Sequence, residues 1–222
     1  MAVPSGVTRY TVEMDWQLDA AEARVLGALM EKETTTPDYY PLSLNALVNA
    51  CNQKSNREPV VSYDEETVET ALNGLREKGL TSRITGDSRV AKYEQRFAEK
   101  CNLGRREAAV MCVLMLRGPQ TAGELRGRTE RLYAFDDLEA VESTMRRLEE
   151  MAFVKKLPRQ TGYKEQRWAQ LLAGDVEVAE EPPTPEPAAF DRGPSDRERI
   201  AALEREMAEL KRQFEDFRRN FE

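Results

Sequence analysis

The sequence has no histidine, and its three cysteines, Cys51, Cys101 and Cys112, show no CxxC spacing. Histidine is the commonest ligand of transition metals and the usual general base of catalytic triads, and paired cysteines mark many zinc sites. Their absence argues against metal centres and against nucleophile–histidine catalysis. We therefore expect no cofactor and no enzymatic activity, and we interpret the cysteines as reduced residues of the core.

Long apolar runs are also missing. No stretch approaches the roughly 20 apolar residues that cross a bilayer, and the start, MAVPSGVTRYTVEMDWQ, lacks the basic-then-apolar pattern of a secretory signal. These features predict a cytoplasmic protein without a membrane partner. Of the 222 residues 40% are hydrophobic and 33% are charged, so we expect part of the chain to lie outside any compact core.

Two nearly identical pentapeptides, EQRFA at 94–98 and EQRWA at 165–169, lie 71 residues apart. The segments before them also match, since TVETALNGLREKGL at 67–80 has the helical pattern of AVESTMRRLEEMAF at 140–153. Gly79 stands where the first of these helices should end in a left-handed residue. An alternating stretch after each helix predicts a β-hairpin. The chain therefore contains two copies of one unit.

The repeat extends further towards the N-terminus. AEARVLGALMEK at 21–32 matches REAAVMCVLMLR at 106–117 and predicts a first helix in each copy. A middle helix follows in both, with Ser43 as its N-cap in the first copy and a capping box of Thr121 and Glu124 in the second. The offset between copies falls from 85 at the first helix to 73 at the third, so the first copy has longer loops, TTTPDYYP and NQKSNREPVVSY.

Three helices followed by a hairpin are typical of a winged helix, in which the hairpin is the wing. We therefore predict an α+β fold, mainly α with small β-hairpins, built from two tandem winged-helix domains at 17–102 and 103–173. Residues 1–16 form an N-terminal extension. Each EQR(F/W)A segment is predicted to be the second wing strand, with Phe97 and Trp168 closing the core from its inward face.

The C-terminal part differs in composition. Residues 174–194 are acidic and rich in proline and predict an extended linker, and residues 195–222 begin with a capping box of Ser195 and Glu198. An unbroken a/d heptad pattern follows, which predicts a coiled-coil helix and a homodimer. The alternative is that this helix docks on the winged helices or on another protein. Its predicted seam is Ile200, Leu203, Met207, Leu210, Phe214, Phe217 and Phe221.

Three segments, LDAAEARVLGALMEKE, PDYYPLSLNALVNACNQKSNREPV and EQRFAE, resemble the YceH-like family of bacterial proteins. The similarity covers about residues 17–172, and CNQKSNREP is its most specific part. The resemblance implies tandem winged helices. It implies no established activity and assigns no functional residues.

The charge pattern bears on DNA binding. Residues 17–102 have 11 basic and 14 acidic side chains, residues 103–173 have 13 and 10, and residues 174–222 have 8 and 14. Both predicted third helices open with acidic stretches, DEETVETA and DDLEAVES, where a winged helix commonly enters the major groove. Carboxylates there complement the helix dipole but repel phosphates. The pattern therefore disfavours ordinary major-groove reading.

Basic residues gather elsewhere and predict a contact with backbone phosphates through the wings. The alternatives are a solvated basic surface and, for the amides of the NQKSN loop, caps on helices two and three. The candidate nucleic-acid or partner contacts are Lys54, Asn56, Arg57, Arg89 and Lys92 in the first copy, and Arg126, Arg128, Arg131, Lys155, Lys156, Arg159 and Lys164 in the second.

Two functions follow from these patterns. The first is a DNA-associated or transcription-regulatory protein that binds weakly or through its wings, an inference that rests mainly on fold analogy. The second is a protein–protein adaptor that uses its winged helices and coiled coil without direct DNA binding. The net charge of −7, the acidic third helices and the coiled-coil tail favour the adaptor.

Overall fold

A computed structural model describes residues 16–84, 90–159 and 165–174, together with Met207, Lys211 and Arg212. We call residues 16–102 the first half and residues 103–174 the second half. The first half contains α1 (Ala20–Thr35), a 3-10 helix (Pro37–Tyr39), β1 (Leu42–Ser43), α2 (Leu44–Cys51), α3 (Glu65–Glu77), β2 (Thr81–Ile84), β3 (Lys92–Gln95) and α4 (Phe97–Lys100). The second half contains α5 (Arg105–Arg117), α6 (Ala122–Thr129), α7 (Leu138–Glu150), β4 (Val154–Lys156) and β5 (Trp168–Gln170). The predicted α+β class, mostly helical, is confirmed.

The helix termini follow from local sequence. The Ser43 hydroxyl accepts a hydrogen bond from the backbone N–H of Ala46 at 3.3 Å, as its predicted role as N-cap of α2 requires. Thr121 and Glu124 form the predicted capping box of α6, with bonds of 3.2 and 2.9 Å. Gly79 has a φ of 67° just after α3. These three sequence predictions are confirmed.

Two small antiparallel sheets complete the halves. In the first half the strand order is β1-β3-β2, with Leu42 opposite Tyr93 and Arg83 opposite the same residue on the other side. In the second half β4 pairs with β5, and Gln120, just before α6, exchanges two backbone hydrogen bonds with Trp168 at 2.9 and 2.7 Å. Both halves therefore have one topology: a helix, a short edge segment, two helices and a hairpin.

Neither pentapeptide is a strand over its whole length, and this part of the prediction is wrong: Glu94 and Gln95 end β3, and Trp168 and Ala169 begin β5. After β3 the backbone N–H of Arg96 still donates to the carbonyl of Leu80, but Phe97 begins α4. In the second half Trp168 begins β5 instead. Both aromatic side chains are buried as expected. Phe97 packs edge-on against Phe153 of the other half, with ring centroids 5.8 Å apart, so it closes a core that the two halves share.

The two halves pack through their first helices. Buried residues of both halves, from α1 and α5 outward, belong to one hydrophobic cluster. Gly27 lets the helices approach closely, since a Cβ at this position would lie 3.0 Å from side-chain carbons of Leu116. The Cys112 thiol donates to the Gly27 carbonyl at 3.4 Å. Residues 1–178 form one compact unit, and the predicted boundary between positions 102 and 103 lies inside it.

Residues 179–222 form a second compact unit. Of its predicted coiled-coil seam, Met207 is described: it is helical and 58% exposed. Lys211 and Arg212 are also helical and exposed. The predicted linker at 174–194 lies outside the described residues apart from Gly174. The other predicted seam positions, Ile200, Leu203, Leu210, Phe214, Phe217 and Phe221, also lie outside them.

Candidate nucleic-acid interface

The third helix of each half, α3 or α7, presents an acidic outer face. Their apolar residues recur at helical spacing and are buried, among them Val68 and Leu75 in α3. Asp64 and Asp137 cap the helices by accepting hydrogen bonds from the N–H groups of Thr67 and Ala140, at 2.9 and 2.8 Å. The exposed faces carry Glu65, Glu66 and Glu69 on α3 and Glu139 and Glu142 on α7. A duplex docked on these faces would bring its phosphates against carboxylates.

The candidate contacts of the second half remain mostly on the surface. Arg126 is exposed in the last turn of α6, and its guanidinium donates to the Asp136 carbonyl at 2.8 Å, next to the N-cap of α7. Lys156 is exposed on β4, with its ammonium 5.5 Å from the centroid of the Trp168 ring. Arg131 and Arg159 are exposed and Lys155 is half-buried, while Lys164 lies outside the described residues.

Arg128 differs from its neighbours because it is directed at other side chains. Its guanidinium donates to the amide oxygen of Gln120 and lies 3.5 Å from Glu124. Arg167 on the hairpin also pairs with Glu124, at 3.0 Å. Burial acts to raise the pKa of Glu124, but the Thr121 N–H and the two arginines outweigh it, so this pKa is lowered. Arg128 thus belongs to a half-buried network with Gln120, Glu124 and Arg167.

In the first half the candidate contacts separate into surface and interior. Lys54 and Lys92 are exposed, Asn56 is half-buried with a φ of 60°, and Arg89 lies outside the described residues. Arg57 is 5% exposed. It cannot reach a phosphate in this structure, and its assignment as a nucleic-acid or partner contact is corrected to a structural role.

The reason for the burial of Arg57 is an ion pair with Glu31 of α1. The two guanidinium NH₂ groups donate to the two carboxylate oxygens at 3.2 and 2.6 Å. The remaining donors reach the carbonyls of Ala50 and Asn56 and the side chain of Gln53, between 2.9 and 3.2 Å. All five N–H donors are therefore used within the protein. The side-chain oxygen of Gln53 accepts from Arg57 and from Lys32.

A second arginine that the sequence analysis missed lies beside this pair. Arg24 of α1 is 4% exposed and donates to the carbonyls of Cys51 and Pro59, at 3.2 and 2.6 Å. Its Nε is buried without a hydrogen-bond partner among the described residues. Burial lowers the pKa of Arg24, and the charge of Arg57 lowers it further. The available signal was that Arg24 and Glu31 are seven residues apart and share a helix face.

The loop between α2 and α3 is fixed at both ends. Asn52 forms two side-chain hydrogen bonds with the backbone of Tyr63, at 2.7 and 2.8 Å, just before α3. The backbone N–H of Glu58 donates to the carbonyl of Leu116 at 2.9 Å, and Arg117 donates to the side-chain oxygen of Asn56. The loop thus connects the first half to the C-terminal end of α5. The Asn52 side chain thus joins the end of α2 to the residue that precedes the N-cap of α3.

The described residues were compared with what a membrane-spanning helix and a metal site require. None of their helices has the length and apolar character that a bilayer crossing needs. Within the same ranges, no three or more Cys, Asp or Glu side chains gather in a geometry suited to a metal ion.

Comparison with known proteins identifies the family. A family model described as "Protein of unknown function, DUF480" matches residues 18–163, which are more than half of the chain. The chain belongs to this family. It is 81% identical over 209 residues to a "UPF0502 protein" of Solibacter usitatus (strain Ellin6076), with 94% of this chain and 100% of that protein covered.

Other relatives have the same description. A "UPF0502 protein" of Opitutus terrae (strain DSM 11246 / JCM 15787 / PB90-1) is 54% identical over 190 residues, covering 84% of this chain and 83% of its own. One of Pelobacter propionicus (strain DSM 2379 / NBRC 103807 / OttBd1) is 50% identical over 219 residues, covering 94% and 100%. The expectation of a bacterial family without an assigned activity agrees with these matches.

Proposed function

We propose that this chain is a non-enzymatic, DNA-associated protein whose halves are tandem winged helices and whose second half contacts the phosphate backbone. The topology of each half supports the first part, because the edge segment pairs with the second hairpin strand as in a three-stranded winged-helix sheet. The proposed backbone contact rests on Arg126 and Lys156. Both are exposed, and they lie on the two elements that flank α7.

The acidic faces of α3 and α7 limit where a duplex can bind. Carboxylates at the start of a helix repel phosphates, so base reading through α7 is disfavoured and contact is limited to the surroundings of that helix. Binding of this kind is weak, independent of sequence and steeply dependent on salt, because each neutralised phosphate releases counterions. The protein would recognise duplex DNA by shape and charge.

Fluorescence anisotropy with a random-sequence duplex at several salt concentrations tests this proposal. The variant Arg126→Ala/Lys156→Ala removes two exposed positive charges from the second half. We expect weaker binding and a salt slope reduced by about 1 for each phosphate that the variant no longer neutralises. The variant Arg76→Ala/Arg105→Ala removes two exposed charges elsewhere and is the matched control. Equal affinities of the two variants, or no binding by the wild type at low salt, would refute backbone contact by the second half.

One observation favours the adaptor as a second candidate. Ile84 and Val90, on either side of residues 85–89 between β2 and β3, are 37% and 57% exposed, and Leu138 at the start of α7 is 43% exposed. Exposed apolar side chains, one of them next to the acidic start of α7, suit a protein partner with basic and apolar groups better than a duplex. Capture of a protein partner that tolerates high salt, and that Val90→Asp abolishes, would support this second function. Dissociation of the captured partner at high salt would contradict it.

The proposal also places the chain in the cytoplasm as a homodimer. The three cysteines are free and buried, as is typical of proteins from reducing compartments. The heptad spacing from Ile200 to Phe221 supports self-association. Sedimentation equilibrium of the full chain measures this, and a monomer mass at micromolar concentration would rule the dimer out.

A further inference from the structure

A small cavity lies at the junction of the two halves, with a volume of about 230 Å³. Its wall contains Glu31 and Thr35 of α1 and Arg117 from the end of α5. Arg128 of α6 and Arg131, just after α6, also line it. Three arginines, one at the end of α5 and two at or just after the end of α6, therefore line one space.

Two of these arginines are held in place by neutral amides. Arg117 donates to the side-chain oxygen of Asn56, and Arg128 donates to that of Gln120. Gln120 is 1% exposed, and its NH₂ group donates to the carbonyls of Arg117 and Gly118 at 3.1 and 3.2 Å. An amide oxygen orients a guanidinium but leaves its charge in place. Each arginine has five N–H donors, so several remain for a ligand.

Two acidic side chains, Glu31 and Glu130, line the cavity, and Glu124 lies next to Arg128. Glu130 is exposed and offsets one of the three positive charges. Glu31 is engaged in the bidentate ion pair with Arg57, and Glu124 is shared between Arg128 and Arg167. Burial lowers the pKa of Arg117, and the charges of Arg128 and Arg57 lower it further, against a smaller opposing effect of Glu31 and Glu58. The carbonyl ends of α1, α5 and α6 contribute partial negative charges of about half a unit each, which offset only part of the positive charge.

We propose that this cavity binds a small oxyanion of the phosphate type, with Arg117, Arg128 and Arg131 as its donors. Planar guanidinium groups match the oxygens of phosphate geometrically and remain charged at every relevant pH. The volume is below the roughly 300 Å³ at which pockets for larger organic ligands begin, so the ligand is a free anion or a single phosphate group. The site is independent of the proposed contacts at Arg126 and Lys156.

Isothermal titration of the full-length protein with inorganic phosphate at pH 7 tests the site, with sodium chloride at matched ionic strength as the reference. Arg131→Ala removes an exposed side chain that lines the cavity, so this variant should fold. We expect about tenfold weaker phosphate binding, because the variant lacks one charge-assisted hydrogen bond to the anion. Arg146→Ala, an exposed arginine of α7 outside the cavity, should bind phosphate as the wild type does.

Thermal unfolding separates binding from a purely structural role. If the arginines only stabilise helix ends, Arg131→Ala lowers the melting temperature equally with and without phosphate, and the proposal is overturned. A ligand site instead gives the wild type a phosphate-dependent rise in melting temperature that Arg131→Ala loses and Arg146→Ala keeps. No rise beyond that produced by chloride would also overturn it.

The same phosphate chemistry could come from a duplex backbone, and competition distinguishes the two sources. If inorganic phosphate displaces a labelled duplex more strongly than chloride at equal ionic strength, the cavity takes a backbone phosphate. If it binds to the protein without displacing the duplex, the cavity takes a free anion. Both results require the titration above to show binding. Because that titration contains no DNA, failure of the anion site and failure of DNA binding are recorded separately.

Discussion

The first half buries two charged residues of α1 and one of the loop after α2, whereas the second half keeps most of its basic residues on the surface. Arg24, Glu31 and Arg57 are each no more than 8% exposed, while Arg126 and Lys156, like Arg131 and Arg159, are exposed. The order of elements is the same in both halves. One source of the difference is the loop after α2, which has 13 residues (52–64), whereas the loop after α6 has eight (130–137).

This comparison assigns different tasks to the two copies of one unit. The loop of the first half reaches the end of α5 through Glu58 and Asn56, and its Arg57 anchors it to α1. It therefore makes the first half the scaffold on which the second is oriented. The corresponding loop of the second half is shorter, and most basic side chains of this half remain exposed. A positive charge in one copy is thus no guide to the role of charges in the other.

Breaking the buried ion pair is expected to have the largest effect. Arg57→Ala leaves Glu31 buried without its partner, and removal of one member of such a pair costs about 3–5 kcal/mol. Urea denaturation of the full-length protein measures the destabilisation. Lys54→Ala, an exposed residue of the same loop, should change the free energy of unfolding by less than about 0.5 kcal/mol.

The double variant Glu31→Gln/Arg57→Met separates the ion pair from the space it fills. Replacing both charges with neutral side chains of similar length should restore much of the stability that Arg57→Ala removes, because no unpaired charge remains. If Arg57→Ala costs no more than Lys54→Ala, then the loop does not depend on this pair. The assignment of Arg57 to the scaffold would then fail.

The sequence predicts much of the local structure, and the reasons are local. The repeated helices have 3.6-residue periodicity, and Ser43, Thr121 and Gly79 are cap residues whose roles depend on neighbours a few positions away. The burial of Arg57 depends on Glu31, 26 positions earlier, and no periodic pattern connects them. Loop residues therefore suggested a surface contact where the structure has an anchor.

One missed feature of the fold had a visible signal. The segments ARVLGALM in α1 and AVMCVLML in α5 are apolar on nearly all faces, and a helix with this pattern is usually buried on all sides. Two separate domains would leave one side of each helix exposed. The pattern therefore favours the observed packing of α1 against α5 within one core over two independent domains.

Overpacking the contact between α1 and α5 should have the next largest effect. Gly27→Val places side-chain atoms where even a Cβ would lie 3.0 Å from Leu116 and 3.2 Å from Met115. We expect the free energy of unfolding to fall by about 1–3 kcal/mol, since close-packed cores resist added methyl groups. Gly123→Ala, in α6, has no neighbour closer than 3.9 Å and should be neutral or stabilising. A Gly27→Val protein as stable as the wild type would mean that the halves do not pack closely at this point.

The smallest expected effect compares the equivalent N-caps of α2 and α6. Ser43→Ala and Thr121→Ala each remove a hydroxyl that accepts one backbone N–H, which costs about 0.5–2 kcal/mol. Thr121→Ala should cost more stability than Ser43→Ala, because the capping box of Thr121 also includes Glu124. The position equivalent to Glu124 in α2 is Ala46. Urea denaturation followed by both circular dichroism and tryptophan fluorescence checks this. Because the halves share a core, each variant should shift a single common transition. Two separate transitions, each shifted by only one of the variants, would show instead that the halves unfold independently.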